Sequence, residues 1–559
     1  MSSTGLYTLS TCGLLALTAS GTLASNPPDI TRVSMDAGRV RLVDARDNKS
    51  IIVPTQTALH DYLPRKQIPL VPSVELIDEH NGFNLVYTFR NTTTEVQPLG
   101  TIRIGGLNLG KNISYRNFDQ TGQLEQAAHN TWGQKTWAYP QDFYSPVVVL
   151  ENAKYVISAS IHYPILDLKH DVRVGFKAYS GPAPASGEKD LWELELKLSE
   201  PFIGKGRERV PNPATLKPGE SRSYTVAVRV TDRKDRWMET LVPYRDFFHG
   251  LYGGVDYERE TAMIKPVSIA AEPNITNDNP KGFSRRYRPD LVGWDPVIQD
   301  ILSTEGFDDF VLWCPTGVFK KNRQYNFPFQ FTSSWAADNK LATATDRRIG
   351  LPRVPSGGKD LGFWWGRSTQ VMSGWDNGVA ATLNPKNSGH RAAAFAEMDK
   401  ALAAGATIIG LDLFHTSVMP LWDLAPWLQT LESRYPSVRF VTEPRSCDVL
   451  HNISPTYYRG HNDRFRPSSA DKIDVIRTPM FLADFLNPGH ETWGAFRYGG
   501  YMHFFGQTIT DDRVQADMNR IASMGYVPVF FHSTTPARPY QAAESWLTTV
   551  PADLRLPRD

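Results

Sequence analysis

Cysteine is nearly absent. The 559 residues hold three, Cys12, Cys314 and Cys447, and no Cys-x-x-Cys pair. A multi-bridge disulfide framework is therefore excluded, and structural zinc is not expected. Neither sign of charge is in excess: 60 Lys and Arg face 59 Asp and Glu, for a net charge of +1. A nucleic-acid binder needs a net basic face or stripe, so no nucleic-acid partner is expected. No apolar run approaches the roughly 18 residues of a membrane span. Signature motifs are missing too. No Gly-x-Gly-x-x-Gly, Walker A or Gly-x-Ser-x-Gly follows a strand pattern, which argues against dinucleotide, P-loop and α/β-hydrolase chemistry. No His-Glu-x-x-His occurs, and no metal or other cofactor is expected.

Hydrophobic residues at 41% and charged residues at 21% describe an ordinary globular chain with room for sizeable cores. Tryptophan is abundant, with 14 residues, and exposed indoles serve as stacking platforms. Residues 1–25 contain no Asp, Glu, Lys or Arg. Their Leu14-Leu15-Ala16-Leu17 core and the Thr22-Leu23-Ala24 run read as a signal peptide cleaved near Ala24. The expected location is secreted or periplasmic.

Residues 26–265 read as an antiparallel β-sandwich. Phe83–Arg90, Thr101–Ile104, Pro146–Leu150, Tyr155–Ser160, Trp192–Leu198 and Tyr224–Val230 are rich in strand formers, most with period-two alternation. Leu216–Glu220 is a turn, and no long helix-period segment is expected in this half. Trp132, Trp137, Tyr139, Asp142 and Tyr144 cluster in one connection, read as loop packing at the domain interface, with a glycan-binding patch or a loop over the barrel mouth as the alternatives. Leu241–Gly254 reads the same way, with Arg245 and Asp246 as a local ion pair.

Residues 266–559 alternate short strands with helices, which fits a (β/α)8 barrel. The expected strands are Val267–Ala271, Phe310–Cys314, Phe327–Thr332, Leu361–Trp365, Thr407–Leu413, Val438–Thr442, Met480–Phe485 and Val527–Phe531. The expected helices are Ala392–Ala404, Leu421–Tyr435 and Asp511–Met524, stopped by Gly405, Pro436 and Gly525.

Barrel chemistry sits at the C-terminal strand ends. Three of the expected strands run into carboxylates there: Asp412, Glu443 and Asp484. Core packing rarely puts acids in such places, because an unpaired buried charge is costly. Glycosidic cleavage needs one group to protonate the leaving oxygen and another to attack the anomeric carbon. Asp412 is read as nucleophile and Glu443 as acid/base. Asp484 is an alternative acid or a hydroxyl-binding residue. The competing bland roles are a helix-capping Asp and a Glu paired with Arg445.

The Gly-Leu-Asp strand end, the Glu on the next strand and the β-rich N-terminal half resemble retaining glycoside hydrolases of the α-amylase and α-galactosidase groups. The amylase-like layout implies Asp412 as nucleophile and Glu443 as acid. The galactosidase-like layout implies an acid two strands beyond the nucleophile, which points to Asp484. The sequence departs from the amylase Arg-x-Asp pattern, since position 410 is Gly.

Aromatic and polar neighbours suit a sugar. Trp313, Trp364, Trp365 and Arg367 lie at strand ends, and Trp375 and Asp376 lie in the following loop. Flat sugar faces stack on such rings while polar groups bond hydroxyls. One of Trp364 and Trp365 must face the helices, because strand neighbours point opposite ways. His415, Arg445 and His532 complete the expected substrate-binding set. The expected function is exported glycoside hydrolysis of a carbohydrate substrate. The rivals are a non-catalytic glycan-binding protein and a polysaccharide lyase.

Overall fold

A computed structural model of the chain describes residues 29–36, 39–55, 70–118, 124–130, 133–200, 202–203, 209–210, 214–262, 264–268, 309–313, 319–321, 324–326, 360–365, 368–372, 380–403, 405–412, 414–416, 418–443, 447–458, 480–496, 511–530 and 540–556. The expected signal peptide and the expected strand Phe327–Thr332 lie outside the described residues.

The N-terminal half contains two seven-stranded sheets whose neighbours all run antiparallel. Alternation explains their packing. Along Gly82–Arg90, Phe83, Leu85, Tyr87 and Phe89 are buried, and the residues between them are partly exposed. Ser221–Thr231 pairs with this strand, with Tyr224 opposite Tyr87. The other sheet turns Ile102, Ile104, Leu194, Leu196, Val174 and Phe176 into the same core. Each such buried side chain contributes about 1.5–3 kcal/mol. Gly219 takes φ +80° in the turn before Ser221, a conformation that favours glycine.

The sandwich half does hold one substantial helix, Val242–Tyr252, preceded by a 3-10 turn at Lys234–Leu241. The expectation of no helix there is corrected. Its cue was Pro243 in the first turn, a favoured helix-start position. Arg245 pairs with Asp246 at 2.7 Å. Its Nη1 also donates to the Leu554 carbonyl, and its guanidinium lies over Phe485. This helix therefore docks on the C-terminal half.

The C-terminal half is a closed parallel barrel of eight strands. In chain order they are β1 Ile264–Ser268, β2 Asp309–Trp313, β3 Asp360–Trp365, β4 Ile408–Leu411, β5 Arg439–Thr442, β6 Thr456–Tyr458, β7 Thr492–Phe496 and β8 Val527–Phe530. Pairing of Ile264 with Val529 closes the ring. Outside it run α1 Ser388–Ala403, α2 Leu421–Arg434, α3 Asp448–Ile453, α4 Met480–Leu486, α5 Asp511–Ser523 and α6 Trp546–Thr549.

Two strands differ from the sequence expectation. Met480–Leu486 is helical, and β6 and β7 take the sixth and seventh places. A short run that is apolar but for Asp484 does not distinguish buried helix from buried strand by periodicity. Here Leu482 to Leu486 are all buried, so the helix shows no polar stripe.

Candidate active site

Side chains alternate between lumen and helix layer along each barrel strand. Gly410 fixes the phase. A Cβ placed on it would lie 1.9 Å from Cε3 of Trp364. The Trp364 indole in turn meets Tyr457 edge-on, with centroids 5.1 Å apart at 70°. Trp364 is on β3 and Tyr457 is three strands away on β6, so both rings lie across the lumen. Trp364 pairs with Gly410, and Gly410 with Val441. The next lumen positions on β4 and β5 are Asp412 and Glu443.

Both acids extend the ladder by one residue. The Asp412 amide donates to the Trp365 carbonyl at 3.1 Å, and the Glu443 amide to the Leu411 carbonyl at 3.0 Å. They thus occupy paired positions on neighbouring strands, since Leu411 pairs with Thr442. Glu443 is buried and Asp412 half-buried. Thr442 pairs with Thr456, which sets Tyr457 level with Glu443.

The backbone behind Asp412 is held twice by Ser368, whose amide and Oγ donate to its carbonyl at 3.0 and 2.9 Å. Beyond Glu443 the chain enters α3. Cys447 there is fully buried and its thiol is pushed up by desolvation, so it is an inert core group. Asp448 accepts from the Tyr139 and Tyr244 hydroxyls at 2.7 and 2.6 Å. Burial pushes its carboxyl up to about 6, against the pull of those hydroxyls.

Asp484 is not at a strand end. It lies on α4, and its carboxylate accepts from Ser545 Oγ at 2.7 Å and Thr549 Oγ1 at 2.6 Å. It also meets His490 Nε2 at 2.7 Å, with both side chains fully buried. His490 lies two residues before β7, so this cluster sits at the N-terminal end of the barrel, opposite Asp412. The same end is filled by Arg439 and Glu491, paired at 2.8 Å, with Trp493 Nε1 donating to Glu491 at 2.6 Å.

The structure therefore brings together Asp412, Glu443 and Trp364. Trp365 has the opposite phase to Trp364 and faces the helix layer. His415 is half-buried in the loop after Asp412. Trp313 ends β2, where its backbone pairs with Ser268. Arg367, Trp375, Asp376, Arg445 and His532 lie outside the described residues. Sequence reasoning missed Tyr457 and Ser368. The Thr456-Tyr457-Tyr458 run is a β-rich signal, but it is only three residues long. Among the described residues no group of three or more His, Cys, Asp or Glu is arranged to hold a metal ion.

No family model matches the sequence, and no curated protein does. Solved structures do. An α-galactosidase from Thermus thermophilus, in complex with stachyose, aligns over 83% of this chain and 96% of its own, at 10% identity and a TM-score of 0.40. A quadruple mutant of an α-N-acetylgalactosaminidase from Bifidobacterium bifidum aligns over 91% and 89%, at 10% identity and a TM-score of 0.46. The chain is similar to both in layout. Likeness at this level carries no argument about activity.

Proposed function

We propose that the chain is a glycoside hydrolase that works through Asp412 and Glu443. The supporting observation is the paired placement of the two acids at the C-terminal rim of neighbouring barrel strands. Neighbouring strands run about 4.8 Å apart, which suits the roughly 5–5.5 Å carboxylate spacing of retaining enzymes. Glu443 is assigned as the proton donor and Asp412 as the nucleophile, the order that the amylase-like layout implies.

In the first step Asp412 attacks the anomeric carbon as Glu443 protonates the departing oxygen, leaving a glycosyl ester on Asp412. In the second, Glu443 takes a proton from water, and the resulting hydroxide opens the ester. Trp364 and Tyr457 give the lumen an aromatic floor. Trp313, Arg367, Trp375, Asp376, His415, Arg445 and His532 are assigned to substrate stacking and hydroxyl binding. Asp484 and Trp365 drop out of this set. The uncharged segment 1–25 supports export, which N-terminal sequencing of the mature protein tests.

A second reading keeps the nucleophile and moves the acid. In the galactosidase-like layout the acid follows the strand two beyond the nucleophile. That strand is β6, and the first carboxylate after it in the sequence is Asp463, outside the described residues. Glu443→Gln and Asp463→Asn, each assayed on natural glycosides and on aryl glycosides with acidic leaving groups, separate the two. The true acid variant loses the natural substrate while retaining the aryl one, whose leaving group needs no proton. Glycan binding with no product in any assay supports the binding-protein rival. Unsaturated, ultraviolet-absorbing products support the lyase.

A further inference from the structure

One short stretch of the sandwich, Tyr139 to Tyr144, bonds to both chain segments that leave the paired acids. Four residues after Asp412, Thr416 Oγ1 donates to the Pro140 carbonyl at 3.1 Å, both in buried surroundings. Five residues after Glu443, the Asp448 amide donates to the Tyr144 carbonyl at 3.0 Å. The Asp448 carboxylate accepts from Tyr139 at 2.7 Å. The Tyr144 hydroxyl meets His451 Nδ1 at 3.0 Å and accepts from Asn487 Nδ2 at 3.1 Å. One stretch, bounded by the strand Lys135–Tyr139, thus bonds Thr416 in the segment after β4 and Asp448 at the start of α3, while the Tyr144 hydroxyl reaches His451, whose ring meets His490 toward the other end of the barrel.

We propose that this stretch is a positioning clamp for the catalytic pair, with Thr416 and Tyr139 as positioning residues. The inference rests on the reading of Asp412 and Glu443 given above. The clamp matters because neither acid lies within its strand: each stands one residue past the end, where ladder bonds no longer fix the chain beyond it. Two carboxylates that act on one glycosidic bond need their separation held closely. Tying both exits to one external stretch fixes that separation through a common reference. The sandwich is then a working part of the active site.

The test uses the full-length protein and three variants: Thr416→Val, which keeps shape and removes the donor, Thr416→Ser, which keeps the donor, and Tyr139→Phe. Two readouts are taken together, amide hydrogen exchange across residues 412–420 and 447–453, and kcat against KM on the best substrate found. Thr416→Val is expected to speed exchange in 412–420 by about tenfold while the sandwich strands stay protected. It is expected to lower kcat by about tenfold with KM within about twofold. Thr416→Ser restores both, and Tyr139→Phe does the same to 447–453. Unchanged exchange in Thr416→Val and Tyr139→Phe overturns the clamp. Faster exchange with unchanged kcat overturns its positioning role. Exchange also decides the clamp when no glycoside is cleaved, in which case the reading of the acids fails alone.

Discussion

Trp364 occupies the space that any side chain on residue 410 would need. A Cβ at Gly410 would fall 1.9 and 2.2 Å from Cε3 and Cζ3 of the indole, a contact with a stiff ring that is itself braced by Tyr457. The glycine two residues before Asp412 is thus a packing requirement of the aromatic floor. Any side chain at this position, an arginine included, would collide with the indole from the neighbouring strand.

That relationship is testable as a coupling. Gly410→Ala is expected to destabilise the protein by about 1–3 kcal/mol through overpacking. In a Trp364→Leu background the same change is expected to cost less than half as much, because the clashing ring is gone. Denaturant midpoints of the four proteins in the cycle check this. Equal costs in both backgrounds would mean that the ring does not dictate the glycine.

Asp484 is expected to serve the fold and not the chemistry. Its carboxylate is fully buried with His490, Ser545 and Thr549 around it. Leaving buried hydrogen-bonding partners unsatisfied costs about 1–3 kcal/mol each. Asp484→Asn should therefore lower the melting temperature clearly, while kcat per folded molecule stays within about threefold. A loss of kcat by orders of magnitude in a fully folded variant would return Asp484 to the catalytic set.

His162 gives a pH prediction with a definite sign. It stacks on Phe247 of the docking helix, centroids 4.9 Å apart at 9°. Burial, and then the Arg229 charge, hold its pKa down to about 4. The folded state keeps it neutral while the unfolded chain protonates near the ordinary value of about 6.5. Its contribution is thus complete above about 6.5 and is lost as pH falls toward about 4. Asp448, pushed up to about 6, acts in the same window with the opposite sign: its contribution falls as pH rises from the ordinary carboxylate range through about 6. The informative quantity is therefore a difference. His162→Phe keeps the stacking and is expected to lose up to one proton's worth of the stability slope between pH 4 and 6.5, measured by urea unfolding. An unchanged slope would mean that His162 does not titrate on unfolding.

Much of this layout was legible in the sequence, and the exceptions have physical reasons. Gly82–Arg90 announces itself because one face is core and period two is visible over its nine residues, and Tyr224–Val230 alternates in sequence within Ser221–Thr231. Asp412 and Glu443 were legible as strand-end acids because β4 is an apolar run and β5 a β-rich one, each followed directly by an acid. β6 escaped because three residues are too few to show a period, and with it went Tyr457. β7 has Gly494 at a position where a Cβ would crowd Ile521 and Tyr526, and glycine reads as a break. Met480–Leu486 misled because a helix buried on every side has no polar stripe. Tyr139 and Tyr144 were legible as interface residues, but their partners were not. Tyr139 and Asp448 are 309 residues apart, and nothing local to either reports the other.

The central claim is that Asp412 and Glu443 cleave a glycosidic bond together. The most direct measurement is reducing-end release over a broad panel of oligo- and polysaccharides by wild type, Asp412→Asn and Glu443→Gln. The account predicts release by wild type on at least one glycan, a loss of about 10³-fold or more for Asp412→Asn, and a loss for Glu443→Gln that shrinks on aryl glycosides with acidic leaving groups. Undiminished release by Asp412→Asn would contradict it.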